Sequence, residues 1–286
     1  MQTAFDIPWF LYLCTGLGGL VVGSFLNVVV SRLPKMMTRA WRQECCEFLE
    51  QQPPNDAPLN LAFPGSHCPN CGEAIKPWHN IPLLSYVALG GQCAACKAPI
   101  SWRYPMVEAV TALLWVAAAA SFGPTTALLG ALLLIAALIA LTGIDLDTQF
   151  LPDSITLPLL WLGLLFNISG VFVSLEQAVI GAMAGYLVLW SVYWLFKIVT
   201  GKEGMGYGDF KLLAALGAWF GWQSLPLIII LSSFVGAAVG IFLIIVKQQG
   251  RDIPIPFGPY LAGAGLLCLF FQTELTHLYL ALVGFN

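Results

Sequence analysis

The sequence predicts an all-α polytopic membrane protein with about eight transmembrane helices and a small cytoplasmic zinc-binding insert between helices 1 and 2. Three observations predict the membrane architecture. Of 286 residues, 58% are apolar and only 9% are charged, against about 25% charged in an ordinary soluble domain. The mean hydropathy of +0.81 is too high for a water-facing surface of this size. Apolar stretches near the ~20 residues that a spanning helix needs recur along most of the chain. A chain in hydrocarbon must satisfy its own backbone polar groups, so helices are the default, and no β-barrel alternation is present. A soluble enzyme and a disordered chain are excluded. Twelve Lys+Arg against 15 Asp+Glu leave no basic field for nucleic acid, whereas membrane lipid is an obligatory partner.

The stretches run over 9–31, 105–121, 124–142, 155–173, 177–196, 210–221, 224–246 and 258–283. Breakers separate them: Phe122-Gly123-Pro124, Leu151-Pro152-Asp153, Gly201 to Gly208, Gly221-Trp222 and Pro254 to Pro259. The first stretch has no Lys or Arg before it and is too long for a signal peptide, so it is expected to remain as the first span. Three regions follow: 1–31 as the first transmembrane helix, 32–104 as the insert, and 105–286 as a seven-helix transmembrane domain. The insert is polar and Pro-rich, and Arg32 to Arg103 holds 12 of the 27 charged residues. No internal repeat is evident.

Orientation follows from the basic residues, which gather on the cytoplasmic side. With residue 1 outside and eight alternating spans, Arg32, Lys35, Arg39, Arg42, Lys76, Lys97 and Arg103 fall inside. So do Lys197, Lys202, Lys211, Lys247 and Arg251. That is all 12 basic residues on one face; a missed or extra span would scatter them.

Within the insert, Cys68-Pro-Asn-Cys71-Gly and Cys93-Ala-Ala-Cys96-Lys form two C-x-x-C pairs separated by 21 residues. Each pair can turn two sulfurs toward one ion, and four thiolates give a closed tetrahedral zinc site. A small polar insert has little core, so the metal would supply folding energy. A reducing compartment disfavours the alternative of two disulfides; iron remains the alternative metal. His67 adjoins Cys68 and could substitute as a ligand, but a loop histidine beside a ligand more often supports it or stands idle. Cys14 and Cys268 read as small apolar residues in spans. Cys45 and Cys46 have no partner by spacing.

Carboxylates at membrane depth are costly and usually functional. Glu108, Asp145, Asp147, Asp153 and Asp209 all fall near cytoplasmic span ends. Asp153, between Pro152 and an apolar run, reads as a helix N-cap. Glu108, one turn into the second span, suits a functional role or an internal ion pair equally. Asp209 closes Gly204-Met205-Gly206-Tyr207-Gly208-Asp209, whose three glycines allow close backbone approach. Asp145 ends the third span. Two acids from separate spans at one depth suggest a shared site. Two carboxylates sharing a proton can serve as base and acid in peptide hydrolysis.

Gly206-Tyr207-Gly208-Asp209 with Phe210-Lys211-Leu212-Leu213 resembles the G-x-G-D motif of the bacterial type IV prepilin peptidases. Asp145, five residues, then Leu151-Pro152 is similar to that family's first aspartate motif. Gly23-Ser24-Phe25-Leu26-Asn27-Val28-Val29, Arg103-Tyr104-Pro105 and the two cysteine pairs also resemble it, in order, over essentially the whole chain. The resemblance implies a bifunctional enzyme of the bacterial inner membrane, multi-pass, with its active site facing the cytoplasm. It would cut the basic leader from prepilins and type II secretion pseudopilins. It would then N-methylate the new N-terminus, usually Phe, from S-adenosylmethionine. It implies Asp145 and Asp209 as the catalytic pair and Cys68, Cys71, Cys93 and Cys96 as metal ligands. Asp147 competes with Asp145 but lacks the five-residue spacing to Leu151. No G-x-G-x-x-G fingerprint marks a Rossmann site for the methyl donor.

Two rival classes are weighed against this. A proton-coupled transporter would use the acids as a relay and leaves the cysteine insert unexplained. An iron electron-transfer protein would use the cysteines and not need the aspartates.

Overall fold

The computed structural model describes residues 8–52, 57–247 and 256–283. Among the described residues every regular element is helical and there is no β-strand; two isolated bridges, His67–Ala74 and Gln92–Pro99, lie in the largely irregular stretch 49–102. Two compact units divide at Ala120/Ser121. The second apolar stretch, 105–121, therefore groups mainly with the N-terminal unit, whereas the expected membrane domain begins at residue 105.

The first unit contains α1 (Pro8–Phe48), a 3-10 turn (Pro77–Asn80), the short α2 (Leu84–Ala88) and most of α3 (Arg103–Phe122). Helix α1 does not stop near residue 31 but continues to Phe48, passing through Pro34. Apolarity ends at the expected boundary; helicity does not. Proline removes one backbone bond, and good helix formers such as Met36, Met37, Arg39, Ala40 and Arg42 carry the helix on. Two arginines tie a following loop to the extension: Arg32 Nη1 donates to the Asn60 carbonyl (3.1 Å) and Arg39 Nη1 to that of Ala57 (2.7 Å).

Helices α1 and α3 meet backbone to backbone. A Cβ on Gly19 would lie 2.6 Å from Ala112 Cα, and one on Gly23 would lie 2.7 Å from Glu108 Cα. Asn27 Nδ2 donates to the Gly23 (3.3 Å) and Tyr104 (3.2 Å) carbonyls. Gly23 and Asn27 are thus packing residues, as small-residue membrane interfaces require. Buried Glu108 accepts the Leu83 N–H at its Oε2 (2.9 Å), just ahead of α2. Leu83 has φ of 58°, and the buried carboxylate secures that left-handed turn.

The second unit comprises α4 (Thr126–Thr148), α5 (Asp153–Ile168), α6 (Leu175–Thr200), α7 (Tyr207–Phe220), a 3-10 turn (Trp222–Ser224), α8 (Leu225–Lys247) and α9 (Gly258–Val283). Each expected apolar stretch corresponds to one of the helices α1 and α3–α9. Among the described residues, five helical segments are long and apolar enough to cross a membrane: α1, α3, α4, α6 and Trp222–Leu243. Helix α5 has 16 residues and α7 only 14. Caps explain several ends. Thr125 caps α4, and Ser174 and Gln177 form a reciprocal capping box at α6.

Helix α7 is the core. From Asp209 to Phe220 every residue except Lys211 is buried. A helix apolar all round belongs in an interior, and α5, α6 and α9 enclose it. Gly181 of α6 and Gly217 of α7 pack backbone against backbone. Trp219 Nε1 donates to the Leu159 carbonyl of α5 (2.9 Å). Asn167 Nδ2 donates to the carbonyls of Ala218 (2.9 Å) and Trp219 (3.2 Å), while its Oδ1 accepts the Phe172 and Val173 N–H groups.

Candidate active site and metal-ligand cluster

Asp145 lies in the last turn of α4 and Asp209 in the first turn of α7. Both are buried, with 4% and 7% of their surface exposed, and their carboxylates are within electrostatic reach of one another. The structure therefore brings the two sequence-predicted acids to one place.

Local backbone geometry positions each. Gln149 adopts the left-handed conformation (φ 54°), and its N–H donates to the Asp145 carbonyl (2.8 Å), ending α4 immediately beyond the acid. The Asp209 N–H donates to the Gly206 carbonyl (3.2 Å) as α7 begins. Leu151 sits between the motifs. A Cβ on Gly208 would come 2.7 Å from Leu151 Cβ, and one on Gly258 would come 3.1 Å from Leu151 Cδ2. The five-residue spacing from Asp145 to Leu151 thus delivers an apolar wedge to the glycines on which the site closes.

Gly258, the first residue of α9, was unmarked in the sequence except as part of a Pro-bounded break. Its N–H donates to Asp145 Oδ2 (2.9 Å) in a buried setting. A Cβ there would lie 2.7 Å from the same oxygen. The usable signal was glycine at a helix start, where backbone N–H groups are unsatisfied and suited to an anion.

Asp147, in contrast, is exposed. Asp153 corrects the N-cap expectation: Pro152 occupies the cap without a side-chain cap bond, and Asp153 is the first helical residue of α5. Its two carboxylate oxygens instead accept bonds from Lys211 Nζ, each at 2.7 Å. In the last turn of α6, Lys197 pairs with Glu203 (2.7 Å). The Lys197 ammonium, hydrogen-bonded to its carboxylate, holds Glu203 below the usual carboxylate range. Tyr207 stacks on Tyr193, and both pack on Phe210.

In the first unit the Sγ atoms of Cys68, Cys71, Cys93 and Cys96 all lie within 4.8 Å of one another. The Cys68–Cys96 separation is 3.8 Å. Four sulfurs at about 2.3 Å from one tetrahedral ion are themselves about 3.8 Å apart, so the set fits such an ion. The Cys71 and Asn70 N–H groups lower the Cys68 thiol. The Ala98 N–H, helped by the Asn70 side chain, brings Cys96 down to about 6. The Glu73 N–H favours the Cys71 thiolate, but desolvation and the three neighbouring thiols push it up to about 11. Backbone N–H groups aimed at Cys68, Cys71 and Cys96 favour their thiolates, the form in which a cation is bound.

The cluster also corrects the expectation of no internal repeat. The Cys68 N–H donates to the Glu73 carbonyl as the Cys93 N–H does to that of Ala98; Gly72 bonds Cys68 as Lys97 bonds Cys93; Ile75 bonds Ser66 as Ile100 bonds Gly91. The bridges His67–Ala74 and Gln92–Pro99 follow the same pattern. Every correspondence is offset by 25 residues, so the cluster is two copies of one knuckle. Gly72 (φ 72°) and Lys97 (φ 60°) occupy the same left-handed position. His67 stays outside the ligand set, its Nδ1 3.0 Å from the Gly65 carbonyl.

Fold and site define a polytopic helical membrane protein with a buried carboxylate pair and a four-thiol ligand cluster. The chain belongs to the type IV leader peptidase family: residues 132–241 match that family's model, and residues 17–122 match the bacterial peptidase A24 N-terminal domain. Among its relatives is the prepilin leader peptidase/N-methyltransferase of Pseudomonas aeruginosa, 57% identical over 98% of this chain and 97% of the relative. Proteins of the same name from Aeromonas hydrophila (55%, covering 98% and 97%) and Pseudomonas putida (52%, covering 99% and 98%) are similar along their whole lengths. No solved structure matches the chain.

Proposed function

We propose that this protein is a membrane aspartic endopeptidase with N-methyltransferase activity. It cuts the leader from type IV prepilins and type II secretion pseudopilins at the cytoplasmic edge of the bacterial inner membrane. The observation that carries the reading is the burial of Asp145 and Asp209, from separate helices, within electrostatic reach of each other. Two carboxylates so placed share one proton. The ionised one takes a proton from water as it attacks the scissile carbonyl, and the protonated one polarises that carbonyl and stabilises the tetrahedral intermediate. The Gly258 N–H fixes one oxygen of Asp145, so reorganisation during proton transfer is small.

The helix order supports the orientation. The ends of α4 and α6 and the starts of α5, α7 and α9 supply the residues around the aspartates. These are the ends that the basic-residue count assigns to the cytoplasm. A prepilin, with a basic leader ahead of an apolar helix, presents its cleavage point at that edge. Cys68, Cys71, Cys93 and Cys96 would hold zinc, which supplies a structural cross-link to an insert poor in apolar core. S-adenosylmethionine would supply the methyl group transferred to the amine freed by cleavage.

The test is incubation of the membrane enzyme with a prepilin, with and without S-adenosylmethionine, followed by mass measurement. The expected result is loss of the leader in both cases and one added methyl only with the donor. Asp145→Asn and Asp209→Asn should each leave the leader in place. Intact prepilin after incubation with well-inserted wild-type enzyme would overturn the reading.

A further inference from the structure

We infer that Lys211 and Asp153 form a positioning lock that sets the spacing between the two aspartate-bearing segments. The inference rests on the peptidase reading above and concerns residues other than the two aspartates. The connection that begins at Asp145 runs through Gln149, Leu151 and Pro152 and ends at Asp153, the first residue of α5. The segment that carries Asp209 continues two residues on to Lys211. Lys211 Nζ reaches both oxygens of Asp153 at 2.7 Å. The pair therefore ties the far end of one acid's connection to the helix that bears the other acid. Leu151 lies inside this closed loop, against Gly208 and Gly258, so a shift of α5 relative to α7 moves that wedge.

Two physical points separate this pair from an incidental ion pair. Helix α7 is otherwise buried from Asp209 to Phe220, and Lys211 is the single interruption. A lysine near a helix N-terminus gains nothing from the helix dipole, which favours cations at the other end. Its place is accounted for by a partner on another element. Asp153, in contrast, suits the N-terminus of α5, so the bond satisfies a cation that its own helix does not.

An exposed ion pair adds little to stability; at 27% and 52% side-chain exposure the pair acts through geometry. Displacing a reacting group by about an ångström costs on the order of a hundredfold in rate. The full-length enzyme in membranes, assayed on a prepilin peptide, provides the test. Asp153→Asn and Lys211→Met should each lower kcat by at least about tenfold and change KM by less than about threefold. The double reversal Asp153→Lys with Lys211→Asp should recover most of the lost kcat, and Asp153→Glu should retain more activity than Asp153→Asn. Immunoblots of the membrane fraction normalise each rate to inserted protein, so a poorly accumulating variant is still scored per molecule. Wild-type kcat in Asp153→Asn overturns the inference. So does a double reversal no better than the weaker single variant. A wild-type enzyme that does not cut the peptide overturns instead the functional reading beneath it.

Discussion

The backbone N–H of Gly258 donates to Asp145 Oδ2 at 2.9 Å, and the glycine's missing Cβ leaves room for that carboxylate and for the Leu151 side chain. A methyl group there must displace the carboxylate or lift the start of α9. Gly258→Ala is therefore expected to reduce leader cleavage by about a hundredfold. Alanine is the better helix former, so lost helicity would not explain the loss. Gly263→Ala, on the same helix with open space around it, should cleave at the wild-type rate. Cleavage rates of the two variants, measured side by side, check the contact.

Replacing any one of Cys68, Cys71, Cys93 or Cys96 by Ser should lower bound zinc from one per chain toward none. Digestion within residues 32–104 should accelerate in the same variants. Metal analysis of freshly purified, active protein is the direct check, and an active protein free of metal would sink the assignment. A chelator strong enough to strip the wild-type metal should reproduce the faster digestion.

Membrane orientation can be read by labelling. An engineered thiol at Gly123, in the turn between α3 and α4, should react with an impermeant reagent from the periplasmic side. One at Asn55, which lies outside the described residues, should not. Labelling of Asn55 alone, or of both, would contradict the orientation deduced from the 12 basic residues.

Cleavage and methylation should separate. Methyl transfer needs a neutral amine held in line with the donor, a demand on positioning rather than on a shared proton. Asp209→Asn, offered an already cleaved pilin N-terminus with S-adenosylmethionine, should still add one methyl. Mass measurement reads the result directly, and an unmethylated product from well-folded Asp209→Asn would assign both reactions to the carboxylate pair.

The parts of this molecule that could be read from its sequence are those written in composition and spacing. Each of the eight apolar stretches became a helix, and α9 begins and ends where its apolar stretch does. The four cysteines could be read as one cluster from their paired spacing, and the two aspartates stood out by their membrane depth and by the family motifs they resemble. What escaped depends on partners chosen by folding. Glu108 bonds a backbone N–H 25 residues earlier, at a leucine whose positive φ has no sequence mark. Asp153 caps nothing because Lys211, 58 residues away, reaches it. The extension of α1 was hidden because hydropathy reports where lipid ends, not where a helix does. The doubled knuckle was hidden because its two copies share backbone pairing more than side chains; even the left-handed position is Gly72 in one and Lys97 in the other.

The brevity of α7 has a consequence for how hydrolysis can proceed in a lipid setting at all. Fourteen residues rise about 21 Å, well short of the ~30 Å hydrocarbon layer. A helix this short, enclosed by longer neighbours, cannot bring both of its ends level with the two faces of that layer. Asp209 stands at the end where α4, α5, α6 and α9 also supply polar groups. Water that attacks a peptide bond must reach that end, so its depth below the headgroups governs how readily hydrolysis is supplied. A bilayer thickened by several ångströms would deepen it, so the enzyme's rate should depend on lipid chain length even when its own fold does not change.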